Sequence, residues 1–233
     1  MAGVSYAQLS GNYTVGGSNP DFAAISDAVN ELQTNGVSGP VTFDLRSNTY
    51  EENGGTERVL YIEQQIDGVS ETNTITFQPD ASTGATVDDV ILKRIVGSYE
   101  EKGWIAEIRS DGVSLKELTF EYADTSTAGY HPNTSFGLVF FQSGGVTFGI
   151  NDITITGCKL IRTSSVQRSP QGIFFFNETR NTTITNNLID GSKEGIIMVG
   201  SSSFRRNITL SGNTILNLRT NVTAVGNWHG YGI

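Results

Sequence analysis

The sequence predicts an all-β fold, a parallel β-helix solenoid with one helix near its start. Three observations carry this: a recurring strand–corner–strand segment, a Gly-led apolar strand interleaved with it, and one stretch of helical periodicity near the start. Composition agrees. The 233 residues include 27 Gly but only one Cys, and 17% are charged. That is too little charge for a coiled coil, while 37% hydrophobic content is too much for a disordered chain. A lone Cys makes no internal disulfide, and no Cys/His set has zinc spacing. No run of eighteen apolar residues exists to carry a helix through a bilayer, so membrane insertion is not expected. A net charge of -9 argues against nucleic acid, whose phosphates require cationic partners.

At the start, Val4-Ser5-Tyr6-Ala7-Gln8 has small residues one and three before a cut after Ala7, as at a signal-peptidase site. Residues 1–10 are expected to be a flexible segment or signal-peptide remnant, and 11–233 the solenoid. Asn19-Pro20-Asp21 then supplies an N-cap, a first-turn Pro and an acid. Phe22, Ile25, Val29 and Leu32 recur at helical spacing, and Gly36 suits a left-handed C-cap. A helix is expected over about 20–34.

Four later segments align: Val113–Phe120, Ile153–Leu160, Thr182–Ile189 and Ile208–Ile215. Alternation puts the first, third, sixth and eighth residues of each on one inward face. The fifth holds Gly157, Asn186 and Gly212, which tolerate positive φ and so mark a sharp corner. Glu117 breaks the rule in the first copy. Between these run Gly137-Leu138-Val139-Phe140-Phe141, Gly172-Ile173-Phe174-Phe175-Phe176 and Gly195-Ile196-Ile197-Met198-Val199, and Gly230-Tyr231-Gly232-Ile233 opens a fourth. The corner segments are 40, 29 and 26 residues apart, a solenoid or propeller period. Propeller blades need tight hairpin turns, which are scarce here, so one-residue corners favour stacked parallel coils. In this register Asn187 and Asn213 face inward one coil apart; buried amides need partners, and stacked they can bond each other and the backbone. Cys158 holds the same slot as a small buried hydrophobe.

In order, Gly11-Asn12-Tyr13-Thr14-Val15-Gly16-Gly17, Pro20-Asp21-Phe22, Asn35-Gly36-Val37-Ser38-Gly39-Pro40-Val41-Thr42-Phe43, Thr49-Tyr50-Glu51-Glu52 and Asn73-Thr74-Ile75-Thr76-Phe77 carry a resemblance. Together they resemble the opening of the right-handed parallel β-helix region, a pectate-lyase-like fold, in large secreted surface proteins of Bacteroidota. The resemblance implies a secreted or cell-surface location and a strand-and-helix cap on the solenoid. It also implies a longer parent chain, with further carboxy-terminal coils and a type IX secretion sorting domain.

A catalytic set does not assemble from the residues. Right-handed β-helices include polysaccharide lyases, pectin esterases and polygalacturonases, but fold alone does not assign chemistry. The stretch after Glu194 resembles the residues beyond the His of a polygalacturonase Gly-His-Gly, with Glu194 in place of that His. Asp88-Asp89 is a carboxylate pair lacking acids on later coils, whereas inverting hydrolysis needs two carboxylates across a cleft. Lys193, Arg205 and Arg206 flank one coil beside Glu194, as a lyase arranges a base and a uronate clamp, but they read first as solvated loop charge. His131 and His229 have no Ser or Cys partner. No metal site and no cofactor are implied; Ca2+ enters only with a lyase.

Two surfaces remain. On the Gly-led strands Val139, Phe141, Phe174, Phe176, Ile197 and Val199 point outward and stack into an apolar stripe too large to stand bare. Loop residues 121–135 or 163–170 are expected to fold over it. Otherwise it is a platform for sugar rings or a partner chain. On the corner strands Thr154, Thr183 and Thr209, and Thr156, Thr185 and Ser211, form two outward hydroxyl rows, as strand-favouring Thr does on any wet face. The sequence therefore points to an adhesion or polysaccharide-contact module without catalysis. The alternative is a polysaccharide lyase or hydrolase with its site on the β-helix face.

Overall fold

Strands of two to nine residues that turn at single left-handed residues can close a coil only by stacking each strand on its counterpart one turn away. The computed structural model has that arrangement and describes residues 7–53, 58–96, 104–124, 138–140, 149–163, 171–175, 179–192, 194–198 and 206–218. The chain enters through β1 (Leu9–Val15) and α1 (Ile25–Asn35), then winds. The first coil is β2 (Val37–Leu45), β3 (Asn48–Asn53) and β4 (Leu60–Ile62); the second is β5 (Ile75–Pro79), β6 (Val90–Val96) and β7 (Ala106–Ile108). The third is β8 (Val113–Lys116), β9 (Thr119–Asp124) and β10 (Leu138–Phe140). The fourth is β11 (Ile150–Asn151), β12 (Thr154–Thr156), β13 (Lys159–Arg162) and β14 (Gln171–Phe175). The fifth is β15 (Thr179–Thr185), β16 (Leu188–Asp190) and β17 (Glu194–Met198), followed by β18 (Arg206–Ser211) and β19 (Thr214–Leu216). Every ladder among the described residues is parallel. Eight strands make the first sheet, six the second (β3, β6, β9, β13, β16, β19) and five the third (β4, β7, β10, β14, β17).

The inward slots are filled as alternation requires. Val113, Leu115, Leu118, Phe120, Ile153, Ile155, Ile184 and Ile189 are buried in one continuous core, and Phe43 stacks on Phe77 at 4.9 Å. In the second sheet an inward slot breaks the apolar rule: Arg94 of β6 is buried, in register with Tyr122 of β9, which is in turn in register with Arg162 of β13. The corner between the first two sheets has positive φ in all four aligned segments: 66° at Gly157, 57° at Asn186, 64° at Gly212 and 51° at Glu117. Glu117 therefore obeys the geometry although its residue type does not suit it.

The amide stack is present. Asn187 Oδ1 accepts from Cys158 N at 2.9 Å; its Nδ2 donates to Ile155 O at 3.0 Å and to Asn213 Oδ1 at 2.9 Å. Asn213 Nδ2 donates to Ile184 O at 2.8 Å. Cys158 is buried, and burial pushes its thiol up to about 12. A second ladder runs outside, from Asn207 to Asn181 to Asp152 at 2.8 Å per step.

The helix differs from expectation at its start. It begins at Ile25, five residues late, because Asp21 is engaged elsewhere: its carboxylate accepts Thr14 N and Thr14 Oγ1, both at 2.8 Å. Residues 20–24 thus fold back on β1, where Phe22 packs against Tyr13 and Phe43 instead of joining the helical stripe. Asp27, three residues after the actual N-cap, accepts Ala24 N at 3.1 Å. Ile25, Ala28, Val29 and Leu32 are buried beneath the cap, and Gly36 closes the helix by donating to Leu32 O. β1 begins at Leu9, two residues inside the segment expected to lie outside the solenoid, and Leu9 is buried.

Candidate functional site

Surface chemistry concentrates on the outer face of the five-stranded sheet. Register aligns Tyr61, Glu107, Phe174 and Ile197 as one outward row across β4, β7, β14 and β17, and Val139 holds the same register position on β10. Their neighbours Leu60, Ala106, Leu138, Ile173 and Ile196 are buried inward, as alternation predicts. Phe174 and Ile197 are half-buried. Val139 lies on β10, but its side chain is outside the described set, and Phe141, Phe176 and Val199 lie outside the described residues altogether.

The row is chemically divided. At the β14 end, half-buried Trp104, just before β7, spans the intervening strand and lies on Phe174 with ring centroids 5.7 Å apart and planes 9° from parallel. Trp104 thus supplies part of the cover expected from loops 121–135 and 163–170, most of which are outside the described residues. At the β4 end the row is charged. Glu107 points outward yet is only 1% exposed. Its carboxylate pairs with Arg58 Nε, with Arg109 Nη2 at 2.6 Å and with Arg109 Nε at 2.8 Å. Both guanidinium groups lie over the Tyr61 ring, at 4.4 Å for Arg58 and 5.7 Å for Arg109. Such pairing is what lets a carboxylate leave water at tolerable cost. Burial pushes the Tyr61 phenol upward, with Arg109 opposing.

The polar candidates do not converge. Glu194 opens β17, where its carboxylate accepts Gln171 Nε2 from the strand below at 2.9 Å. Arg206 opens β18 in register with Arg180, but its side chain is outside the described set. Lys193, Arg205, His131 and His229 lie outside the described residues. The Asp88-Asp89 pair is split: Asp88 bonds Lys159, while Asp89 accepts Thr86 Oγ1 at 2.6 Å and Thr86 N at 2.9 Å, which hold its carboxyl low. Asp111 behaves differently. Burial raises its carboxyl and Asp152 adds repulsion, against a 2.8 Å bond accepted from Asn151 N. Among the described residues no group of three or more His, Cys, Asp or Glu is placed to hold a metal ion.

The hydroxyl rows stand as the alternation places them. Thr154 pairs with Thr183 and Thr183 with Thr209, the row continuing downward through Ser114, Thr76 and Thr42; Thr156 Oγ1 lies 3.0 Å from Thr185 Oγ1.

Sequence reasoning missed Trp104, Tyr61, Arg58, Glu107 and Arg109. β4 and β7 have three residues each and no leading Gly, so they joined neither aligned pattern. The available signal was Trp104 itself, one of two Trp in the chain, beside the buried Ile105.

Residues 105–215 match the family model described as a right handed beta helix region. That match supports a place among β-helix proteins. No curated protein matches the chain, and no solved structure does.

Proposed function

We propose that this β-helix is a secreted or cell-surface module that binds polysaccharide without catalysis, on the outer face of its five-stranded sheet. The observation that carries the reading is the flat Trp104–Phe174 pair beside the Tyr61–Arg58–Arg109–Glu107 cluster. An extended aromatic surface accepts the C–H face of a sugar ring, and neighbouring guanidinium and carboxylate groups bond its hydroxyls or carboxylates. The resemblance of residues 11–77 to secreted surface proteins of Bacteroidota supports the location, including export by type IX secretion. One observation favours the alternative of a lyase or hydrolase: a carboxyl raised by burial, as at Asp111, is what a general acid requires.

The test is binding to a glycan array, run beside a reducing-sugar and unsaturated-uronate assay on plant and algal polysaccharides. We expect binding without product. Trp104→Ala should weaken binding at least about tenfold, the loss of one stacking anchor, and leave the fold intact by circular dichroism. Product formation abolished by Asp111→Asn would establish the enzyme reading, and binding indifferent to Trp104 would remove this face from the site.

A further inference from the structure

The corner joining β16 to β17 is short, and a cavity of about 10 Å³ lies inside it. Ile105 and Phe120 form its apolar walls; Tyr122, Gln171, Asp190 and Ser192 bring polar groups. Glycines stand near the starts of the two strands beside it. A Cβ at Gly172 would collide with Gly195 O, and one at Gly195 would come within 2.6 Å of Ile215 Cδ1. The backbones of β14 and β17 therefore approach closely at this point.

Two polar atoms at this corner have no hydrogen-bond partner among the described residues, Ser192 Oγ and Gln171 Oε1. Ser192 is 3% exposed, so bulk water does not serve it. The Gln171 amide cannot turn to relieve its oxygen, because Nε2 is committed to the Glu194 carboxylate at 2.9 Å. Oε1 must accept. A buried acceptor left unbonded is destabilising, and a buried water needs about one probe sphere of volume and two to four polar partners.

We infer that this corner is a binding site for one ordered water molecule. The water donates to Gln171 Oε1, bonds Ser192 Oγ, and takes a third partner from the Tyr122 hydroxyl or the Asp190 carboxylate. It links the start of β14 to the corner above it and so joins the fourth and fifth coils.

A crystal structure of the whole chain at a resolution that shows waters tests this directly. The expected result is one water-sized density within hydrogen-bond distance of both Gln171 Oε1 and Ser192 Oγ. Ser192→Ala should remove the density or raise its B-factor, and lower the melting temperature by about 2–4 °C, the shift expected for losing one such bond. A dry cavity, a protein group seated on Gln171 Oε1, or a metal ion with five or more oxygen ligands would each overturn the proposal. The wild-type density decides the question even if the variant does not fold.

Discussion

Glu117 sits at φ 51°, where its three counterparts along the solenoid are Gly, Asn and Gly. A side chain with a Cβ costs roughly 1–2 kcal/mol in that region, and Asn bears it better than Glu because its short amide bonds locally. Glu117→Asn should therefore stabilise the protein by about 0.5–1 kcal/mol in urea unfolding. Gly212→Ala should do the reverse and cost at least about 1 kcal/mol, because the new Cβ collides with Asn186 Oδ1. The inward amides carry more. Asn187→Ala deprives Cys158 N and Ile155 O of their side-chain partner inside the core. One buried backbone N–H left unbonded, with a carbonyl that loses its second donor, predicts a loss of about 1–3 kcal/mol, read as a lower urea midpoint at unchanged slope. A loss below about 1 kcal/mol would mean that water reaches the stack.

Elements whose register is written in alternation were legible; elements positioned by one polar contact were not. The corner strands show period two over eight residues, so their burial followed from the sequence residue by residue. The third sheet's early strands have three residues each, too short for a pattern, and the charged cluster on them therefore went unread. The helix shows the same limit. Asn19-Pro20-Asp21 has the composition of a helix start, and only Thr14, on another element, reveals that Asp21 belongs to β1. This assignment can be checked. Thr14→Val and Asp21→Ala should each destabilise, and the double variant should fall short of their sum by about 0.5–1 kcal/mol. Additive losses would return Asp21 to the helix.

At the scale of the whole molecule, acid stability separates two kinds of carboxylate. Asp80 is held low by the Ser82 hydroxyl, then by Ser82 N and Arg46; Asp21 is held low by Thr14, and Asp89 by Thr86. Each is more acidic folded than at its ordinary 3.8. Their contribution is present above 3.8 and is lost as pH falls through the lower folded values. Asp111 has the opposite sign. Burial raises it above 3.8, so the fold favours its protonated form. Whatever it contributes is full below 3.8 and is lost as pH rises through the raised value, leaving its charged form a burden at neutral pH. Asp111→Asn keeps the oxygen that accepts Asn151 N and removes the buried charge with its repulsion from Asp152. The variant should be more stable than the parent at pH 7, and the two urea midpoints should converge as pH drops below 3.8. If the gap instead persists unchanged at about pH 3, the gain comes from packing and not from the charge. If the variant is less stable at pH 7, ionised Asp111 has a compensating partner and its carboxyl is not raised in the folded protein.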